Sequence, residues 1–228
     1  MRILLFKKLF FVVLMSTVPV FCSERIIIGI AGGTASGKTT FAQKIQEVFQ
    51  KDVVVITQDS YFKHLPNLSL EERMQLNWDC PDSIDFDLLQ EHLQCLKVGK
   101  SIEQPVRNFF TFSRESFTKT IESASIIVVE GILIFAHPEI RDLCDIKIYV
   151  EASDDIRLLR RINRDTKERG VSLQDLSAQY IKNIKPMHDL FVEPSKVYAD
   201  IIIPQGGESP VSFELIQHAV SHTLNRHL

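Results

Sequence analysis

The sequence predicts an α/β fold in which helices cover both faces of a parallel sheet. Three continuous apolar segments rich in β-branched residues, at 25–31, 53–57 and 125–129, are typical of strands buried on both faces. Segments with helical periodicity separate these strands, as is usual for connections between parallel neighbours. A glycine-rich turn at 32–37 directly follows the first strand. Ligands of such sheets bind beyond the carboxyl ends of the strands, so the turn indicates where a site should lie.

The remaining elements follow in chain order. Residues 101–121 alternate polar and aromatic side chains, which indicates a β-hairpin, and 145–150 and 199–203 supply two further strands. Pro186 is expected to kink or end a helix near its C-terminus. The chain is thus expected to form a parallel sheet with helices on both faces, plus a β-hairpin and a helical lid. The predicted helices are 38–49, 70–76, 86–96, 153–167, 173–189 and 210–227.

Length, charge and cysteine usage narrow the class of protein. A chain of 228 residues fits one domain and can bury a full core. The formal net charge of −3 argues against a nucleic-acid partner, because such proteins are normally basic. The four cysteines form no C-x-x-C pair, which disfavours a metal site and a disulfide framework. Reduced thiols are typical of a cytoplasmic protein.

Residues 1–23 form a hydrophobic N-terminal extension with two open interpretations. Basic residues precede an apolar run at 9–14, which is the layout of a signal peptide, although the run alone is too short to span a bilayer. Phe21 before Cys22 makes a poor cleavage region. One interpretation is a mis-assigned start codon, with 24–228 as a single domain. The other is a targeting segment or membrane tether.

The glycine-rich turn carries a phosphate-binding motif. Gly32, Gly37, Lys38 and Thr39 match G-x-x-x-x-G-K-[ST], between a predicted strand and a predicted helix. Backbone N–H groups of such a loop bind phosphate oxygens, the lysine reaches the β- and γ-phosphates, and the threonine hydroxyl binds Mg²⁺. The small residues of the loop allow a phosphate to approach its backbone closely. The predicted nucleotide-binding set is Gly32, Gly33, Thr34, Ala35, Ser36, Gly37, Lys38, Thr39 and Thr40.

Two carboxylates follow predicted strands at the same edge of the sheet. Asp59 comes just after 53–57, where it could take a proton from an attacking hydroxyl or orient Mg²⁺ through water. An already ionised phosphate acceptor would need basic groups instead, so an aspartate favours an alcohol as acceptor. A turn-forming or helix-capping role for Asp59 stays open at this point. Glu130 ends the strand at 125–129, the usual position of an acidic residue that helps to hold Mg²⁺.

Arginines recur on one face of the predicted helix 153–167. Their spacing of i, i+3, i+4 and i+7 places them together, and Arg169 follows the helix. Facing a triphosphate, they would neutralise charge that develops during phosphoryl transfer. The alternative is a solvated basic face paired with nearby carboxylates. The four residues are Arg157, Arg160, Arg161 and Arg164.

An aromatic residue next to a carboxylate lies in the acidic segment 76–87. Trp78 could stack on a base, and Asp79 could accept hydrogen bonds from sugar hydroxyls. The alternative is a loop that caps a helix, with a tryptophan in the core.

Together these segments resemble the uridine kinase (uridine–cytidine kinase) family of P-loop kinases. The matching runs are GGTASGKTT, QDSYF, NWDCPDSIDFD, VVEGILIF, RLLRRINRDTKERG and the long run from LSAQY to IIPQGG, which cover about 24–225 in order. The resemblance implies transfer of the γ-phosphoryl of ATP, or of GTP, to the 5′-hydroxyl of uridine or cytidine, with Mg²⁺. The products would be UMP or CMP, as in pyrimidine salvage. It also implies a cytoplasmic homotetramer.

The resemblance assigns roles to individual residues. Asp59 would be the general base, and Thr39, Glu130 and Asp59 would organise Mg²⁺. Lys38 would contact the transferred phosphate. The other expected catalytic or substrate-binding residues are Asp79 and Arg161 for the ribose hydroxyls, Trp78 for an aromatic wall, Arg164 and Arg169 for phosphates, and Gln179 for the nucleoside pocket.

The departures from the family pattern cluster at the base-reading positions. In the hairpin run PVRNFFTFSR, Arg107 replaces a tyrosine and Phe112 replaces a histidine that contact the pyrimidine in the family. Phe62 and Val171 also differ from many members. Arg107 could donate to a base carbonyl and compensate for these losses.

Two other functions stay open. A kinase of another nucleoside or small alcohol, similar to phosphoribulokinase or pantothenate kinase, would use the same phosphate-binding parts. A nucleotide-binding protein without transfer activity, attached to a membrane through 1–23, is the third.

Overall fold

The computed structural model describes residues 25–226. Both interpretations of the extension at 1–23 therefore concern residues outside the described part. Within 25–226, no helix is both long and apolar enough to cross a membrane.

The strands form one parallel sheet and one hairpin. In the sheet the order is β2-β5-β1-β6-β7 and every neighbouring pair is parallel, which confirms the predicted α/β class. β3 and β4 pair with each other in antiparallel fashion as the predicted hairpin. The strands are β1 (Ile26–Ala31), β2 (Val53–Thr57), β3 (Ile102–Asn108), β4 (Ser113–Ile121), β5 (Ile126–Gly131), β6 (Ile146–Val150) and β7 (Ile201–Ile203).

Helices cover both faces of the sheet. Each predicted helix forms with similar bounds except the one expected at 173–189, and Pro138–Leu143 is an additional short helix. The helices are α1 (Lys38–Phe49), α2 (Leu70–Gln75), α3 (Phe86–Lys97), α4 (Pro138–Leu143), α5 (Asp154–Glu168), α6 (Leu173–Gln179), α7 (Lys185–Met187), α8 (Glu193–Ser195) and α9 (Pro210–Arg226).

The sheet divides the apolar core into two layers. Alternate residues of β1 point to opposite faces, so Ile27 packs with the layer that holds Leu89 and Leu93 of α3. Ile28 packs with Phe41 of α1 in the other layer. All six residues of β5 are buried, as expected for a central strand covered on both faces.

The hairpin is fixed against the end of β2. Gln104 donates a hydrogen bond to Ser60 Oγ at 3.0 Å, in the 3₁₀ turn that follows β2. Arg114 donates to the Phe62 carbonyl at 2.9 Å and pairs with Asp85 at 2.9 Å. These bonds hold the hairpin tip beside the carboxyl edge of the sheet.

The helix predicted at 173–189 has a different internal structure. Pro186 does not end it, because the right-handed helical backbone continues through α7 and α8. Two π-helical turns, at Tyr180–Ile184 and His188–Val192, interrupt the α-helical segments. Proline lacks an N–H and its ring crowds the carbonyl four residues earlier. The wider π turn before Pro186 accommodates both defects, which the sequence pattern alone did not reveal.

Truncation in the layer under α3 should destabilise the whole domain. Leu93 is fully buried, so Leu93→Ala is expected to lower the free energy of unfolding by about 2–5 kcal/mol. Leu215→Ala in α9 removes a side chain that is 66% exposed. This substitution should change the free energy of unfolding by less than about 0.5 kcal/mol. Urea unfolding of both variants measures the difference. Equal destabilisation would contradict the assigned core.

Candidate active site

The polar residues singled out by the sequence converge at the carboxyl edge of the sheet. The phosphate-binding loop follows β1, Asp59 follows β2, and Glu130 lies at the end of β5. These three strands are adjacent in the sheet, with β5 in the middle. The register pairs Ile30 and Thr57 with Glu130, so the three strands end at the same level.

The loop has the geometry of a phosphate cradle. Gly37 adopts φ +96° and begins α1, while the Ser36 N–H donates to the Gly33 carbonyl at 3.0 Å. Ser36 is fully buried and its Oγ has no hydrogen-bond partner within 25–226. An unpaired buried hydroxyl beside a helix N-terminus suits a bound anion. Thr40 is exposed on α1 and makes no hydrogen bond through its side chain within the described residues.

The turn after β7 packs against the phosphate-binding loop. A Cβ on Gly37 would lie 2.1 Å from the Gly206 carbonyl oxygen, so the two glycines allow a backbone approach that other residues would prevent. Gly206 has φ +71°, in the turn after β7. Arg160 lies against this turn and pairs with Glu208 at 2.9 Å.

Glu130 connects the strands to the loop. Its carboxylate accepts hydrogen bonds from Thr57 at 2.7 Å and Thr39 at 3.2 Å, and Lys38 Nζ lies 3.8 Å away. Burial raises the pKa of Glu130, whereas Lys38 and the two hydroxyls oppose that rise. The sequence pattern did not single out Thr57, although its place as the polar residue that ends the apolar run 53–57 is a signal that could have identified it.

Thr39 and Glu130 fit a magnesium site. Their oxygens are adjacent, and Mg²⁺ in nucleotide sites takes few protein ligands because water and phosphate supply the rest. Consistent with this, no group of three or more His, Cys, Asp or Glu side chains in 25–226 forms a protein-only metal cluster.

Asp79 is a largely buried carboxylate beside the lid arginines, and it lies within the electrostatic influence of Asp59. Asp79 is 17% exposed in its side chain and lies 3.9 Å from Arg161. Burial raises the pKa of Asp79; Arg161 opposes the rise, and the charge of Asp59 adds to it.

Lid arginines gather around a single carboxylate. Asp165 is 4% exposed and accepts ion pairs from Arg161 at 3.2 Å, Arg164 at 2.8 Å and Arg169 at 3.4 Å. Arg161 also donates to Thr34 Oγ1 at 2.8 Å, which connects this cluster to the cradle. Pairing with a carboxylate, the alternative interpretation of the stripe, is thus observed, and Arg161 additionally bonds the loop.

Arg157 differs from the other arginines of the stripe because it is buried. It is 3% exposed and lies behind the loop, with Nη1 3.5 Å from the Thr34 carbonyl. Nη2 contacts Asp154 at 2.5 Å and His188 Nε2 at 3.0 Å. A Cβ on Gly33 would meet its guanidinium at 2.6 Å. The helical period predicts a common face, but it does not predict that Arg157 is buried while Arg160, Arg161 and Arg164 are only partly buried.

Aromatic side chains form the wall opposite Asp79. Trp78 stacks with Phe112 at 6.1 Å between ring centroids and meets Phe62 edge-on at 5.3 Å. Arg107 lies over Phe62, with its guanidinium carbon 3.5 Å from the ring centroid. Arg107 and Phe112 are the hairpin residues that differ from the family pattern. The structure therefore places them next to the Trp78–Asp79 pair. Gln179 and Val171 are half-buried, and no hydrogen bond within 25–226 joins the Gln179 side chain to this wall.

A cavity of about 860 Å³ flanks the cradle on the side of Arg160. Gly33, Ser153, Arg160, Gln205 and Glu208 contribute to its lining. Asp59 does not contribute to this lining.

Comparison with known proteins agrees with this geometry. The family described as phosphoribulokinase / uridine kinase matches residues 27–212. A protein named uridine kinase from Lactobacillus johnsonii (strain CNCM I-12250 / La1 / NCC 533) is 45% identical over 202 residues, which cover 88% of this chain and 96% of that protein. One of the same name from Clostridium tetani (strain Massachusetts / E88) is 48% identical over 192 residues, 84% of this chain and 92% of that protein.

Among solved structures, phosphoribulokinase from Rhodobacter spheroides aligns with a TM-score of 0.61 at 12% identity, covering 80% of this chain and 70% of that one. D-glycerate 3-kinase from Cryptococcus neoformans aligns with a TM-score of 0.55 at 12% identity, covering 82% and 88%. At such identities the likeness concerns the fold alone.

The close approach of Gly37 to Gly206 gives a first test of the site. Gly37→Ala is expected to weaken nucleotide binding about tenfold or more, because the added Cβ would separate the two loops. Gly170→Ala is the matched control, since Gly170 also has positive φ, +66°, but a Cβ there meets nothing within 4 Å. Calorimetric titration with ATP measures both. Equal affinities in the two variants would refute the steric role.

The Arg157–His188 contact gives a pH-dependent prediction. Burial and the adjacent Arg157 lower the pKa of His188, against the opposing carboxylates of Asp154 and Glu193. A histidine whose folded pKa lies below its unfolded value of about 6.5 contributes stability above that pH and loses it as pH falls. We expect His188→Asn to flatten the decline in unfolding free energy below about pH 6.5, measured by urea titration across pH.

The control for this effect is His64→Asn, because His64 is exposed and should not alter the slope. An unchanged slope in His188→Asn would contradict the assignment.

Proposed function

The chain belongs to the phosphoribulokinase / uridine kinase family, and we propose that it is an ATP-dependent uridine/cytidine kinase. It transfers the γ-phosphoryl of ATP to the 5′-hydroxyl of a pyrimidine nucleoside and yields UMP or CMP. The observation that carries this proposal is the pairing of an intact phosphate cradle with Asp59, Asp79 and an aromatic wall on its open side. A nucleoside offers a hydroxyl, a diol and a flat ring, which match these three features.

The donor half of the site consists of the cradle and the adjacent cavity. Gly32 to Thr40 receive the triphosphate, and Lys38 contacts the β- and γ-oxygens. The cavity beside Arg160 suits the donor base and ribose. Its polar lining accommodates adenine or guanine, so ATP or GTP can act as donor. Thr39 and Glu130, with Asp59 through water, would hold Mg²⁺, which would offset the negative charge of the phosphates.

Asp59 acts as the general base for the attacking hydroxyl. It lies at the end of β2, next to the strand that carries Glu130, so a hydroxyl beside it would face the γ-phosphate. Proton removal by a placed carboxylate makes that oxygen a better nucleophile. Arg161, Arg164 and Arg169 stabilise charge on the transferred group, and Asp165 holds them in place meanwhile.

The acceptor half binds the nucleoside. Asp79 and Arg161 bind the ribose hydroxyls, while Trp78 provides a ring for stacking. Gln179 approaches this pocket from the end of α6, and Arg107 and Phe112 face the base from the hairpin.

We assign the enzyme to pyrimidine salvage. We place it in the cytoplasm, where its phosphate donor is made; if 1–23 act as a membrane tether, the kinase domain still faces the cytoplasm. Homotetramer formation is supported by exposed apolar residues along 173–198. These include Ile181, Leu190 and Val197, which are 75%, 61% and 78% exposed.

A kinase of another small alcohol is the second candidate. The observation that favours it is Arg107 within the aromatic wall, because this residue replaces a base-reading tyrosine of the family. The phosphate-binding half would be unchanged.

The assay for the proposed function is ADP release by residues 24–228 with ATP and Mg²⁺. Its acceptor panel contains uridine, cytidine, their deoxy forms, purine nucleosides, ribulose 5-phosphate and pantothenate. We expect turnover with a pyrimidine nucleoside. Turnover confined to a different acceptor would favour the second candidate, and none with any acceptor despite ATP binding would indicate a non-catalytic protein.

Replacement of the general base, Asp59, tests the mechanism. Asp59→Asn should lower kcat by about 10²–10⁴-fold because the acceptor hydroxyl keeps its proton, while ATP affinity stays close to that of the unmodified protein. Asp142→Asn is the matched control, since the Asp142 side chain is 75% exposed and remote from the site. Undiminished kcat in Asp59→Asn would remove Asp59 from the role of base.

A further inference from the structure

The guanidinium of Arg107 lies inside a cage of four aromatic rings. We call Phe62, Trp78, Phe109 and Phe112 the aromatic cage. The guanidinium carbon lies 3.5, 4.5, 5.5 and 6.0 Å from their respective ring centroids. Contacts of this kind orient a planar cation over ring faces and restrict its rotation.

This cation has no hydrogen-bonding partner in the described part of the chain. Its Nε is buried and unpaired, and no carboxylate within 25–226 forms an ion pair with the guanidinium. Burial lowers the pKa of Arg107 to about 10, against the opposing fields of Asp59 and Asp79, so the group stays charged at neutral pH. A desolvated donor without an acceptor is unfavourable, and a ligand that supplies acceptors would relieve the cost.

The other cage residues leave Arg107 as the cage's free hydrogen-bonding group. Three of the rings are phenylalanines, which have no hydrogen-bonding atoms. Trp78 already donates its Nε1 proton to the Arg73 carbonyl at 2.8 Å. Arg169, which lies over Phe109 at 4.7 Å, has only donors as well. The cage therefore offers donors, and no side-chain acceptor, to a ring bound within it.

Pyrimidine bases differ in how they fit such a surface. The pairing edge of cytosine presents N3 and O2 as adjacent acceptors, which a guanidinium fork can contact with two parallel N–H groups. Uracil carries a proton on N3 between its two carbonyls. That proton would face another donor, so at most one hydrogen bond to the fork remains.

We propose that Arg107 is the specificity-determining residue of the acceptor pocket and selects cytidine over uridine through N3 and O2. The inference deepens the proposed function and rests on it. One additional hydrogen bond to a charged group is enough to change affinity about tenfold or more. We therefore expect kcat/KM for cytidine to exceed that for uridine about tenfold or more.

The first experiment compares kcat/KM for the two nucleosides at saturating ATP and Mg²⁺. Arg107→Met keeps an apolar stem in the cage but removes the fork, so the cytidine-to-uridine ratio should fall to near one. Lys119→Met is the matched control, because it removes an exposed cation from the same hairpin and should leave the ratio unchanged. Arg107→Gln, with one donor group and one acceptor, should shift the ratio towards uridine and provides a second variant if Arg107→Met fails to fold.

Base analogues identify the atoms that are read. Pyrimidin-2-one riboside keeps N3 and O2 but lacks the exocyclic amine, and should be used about as well as cytidine. 3-Deazacytidine lacks the N3 acceptor and should lose about tenfold or more. The loss should be absent in Arg107→Met, which has no donor to read N3.

The outcomes separate this inference from the proposed function. Equal use of uridine and cytidine by the unmodified protein, or a ratio that Arg107→Met does not change, would overturn the role of Arg107 and leave the kinase assignment intact. If neither nucleoside is phosphorylated, calorimetric binding of each still decides the inference. Tighter binding of cytidine that depends on Arg107 supports it, and absence of binding overturns it together with the proposed function.

Discussion

The buried carboxylate of Glu130 is the constraint on which the phosphate side of this fold depends. It lies at the end of the fully buried strand β5, where hydroxyls from β2 and from the first turn of α1 donate to it and Lys38 faces it. A buried charge must be paired and hydrogen-bonded, so this carboxylate fixes its neighbours. The same bonds leave it beside Thr39, where a divalent cation and a nucleotide would meet.

Around this centre the site is divided into two unequal halves. The donor half is built from backbone geometry, with two glycines in close approach and Arg157 buried behind the loop. The acceptor half is built from side chains of segments that are distant in sequence, namely the turn after β2, the loop with Trp78 and the hairpin. Backbone cradles tolerate little change, whereas a wall of side chains can change its specificity without disturbing phosphate binding. The hairpin residues that differ from the family pattern lie in the acceptor half.

The sequence predicted the sheet well because its strands are short apolar runs bounded by polar turns. The cradle could be predicted equally well, since its motif has fixed spacing between a strand and a helix. Three features could not be predicted from the sequence. Burial of Arg157 depends on His188, 31 residues away, and the π turns around Pro186 depend on local backbone geometry. The placement of Arg107 depends on rings that other segments deliver, so the run PVRNFFTFSR indicates the substitution but not the cage.

The most direct measurement of the central role of Glu130 is ATP binding by calorimetry, with and without Mg²⁺, in the unmodified protein and in Glu130→Gln. The backbone cradle and Lys38 persist in the variant, so metal-free ATP binding should be retained. The gain in affinity on adding Mg²⁺ should be present in the unmodified protein and lost in the variant. The same gain in both proteins would contradict the account, because the carboxylate would then have no part in joining metal and nucleotide to the sheet.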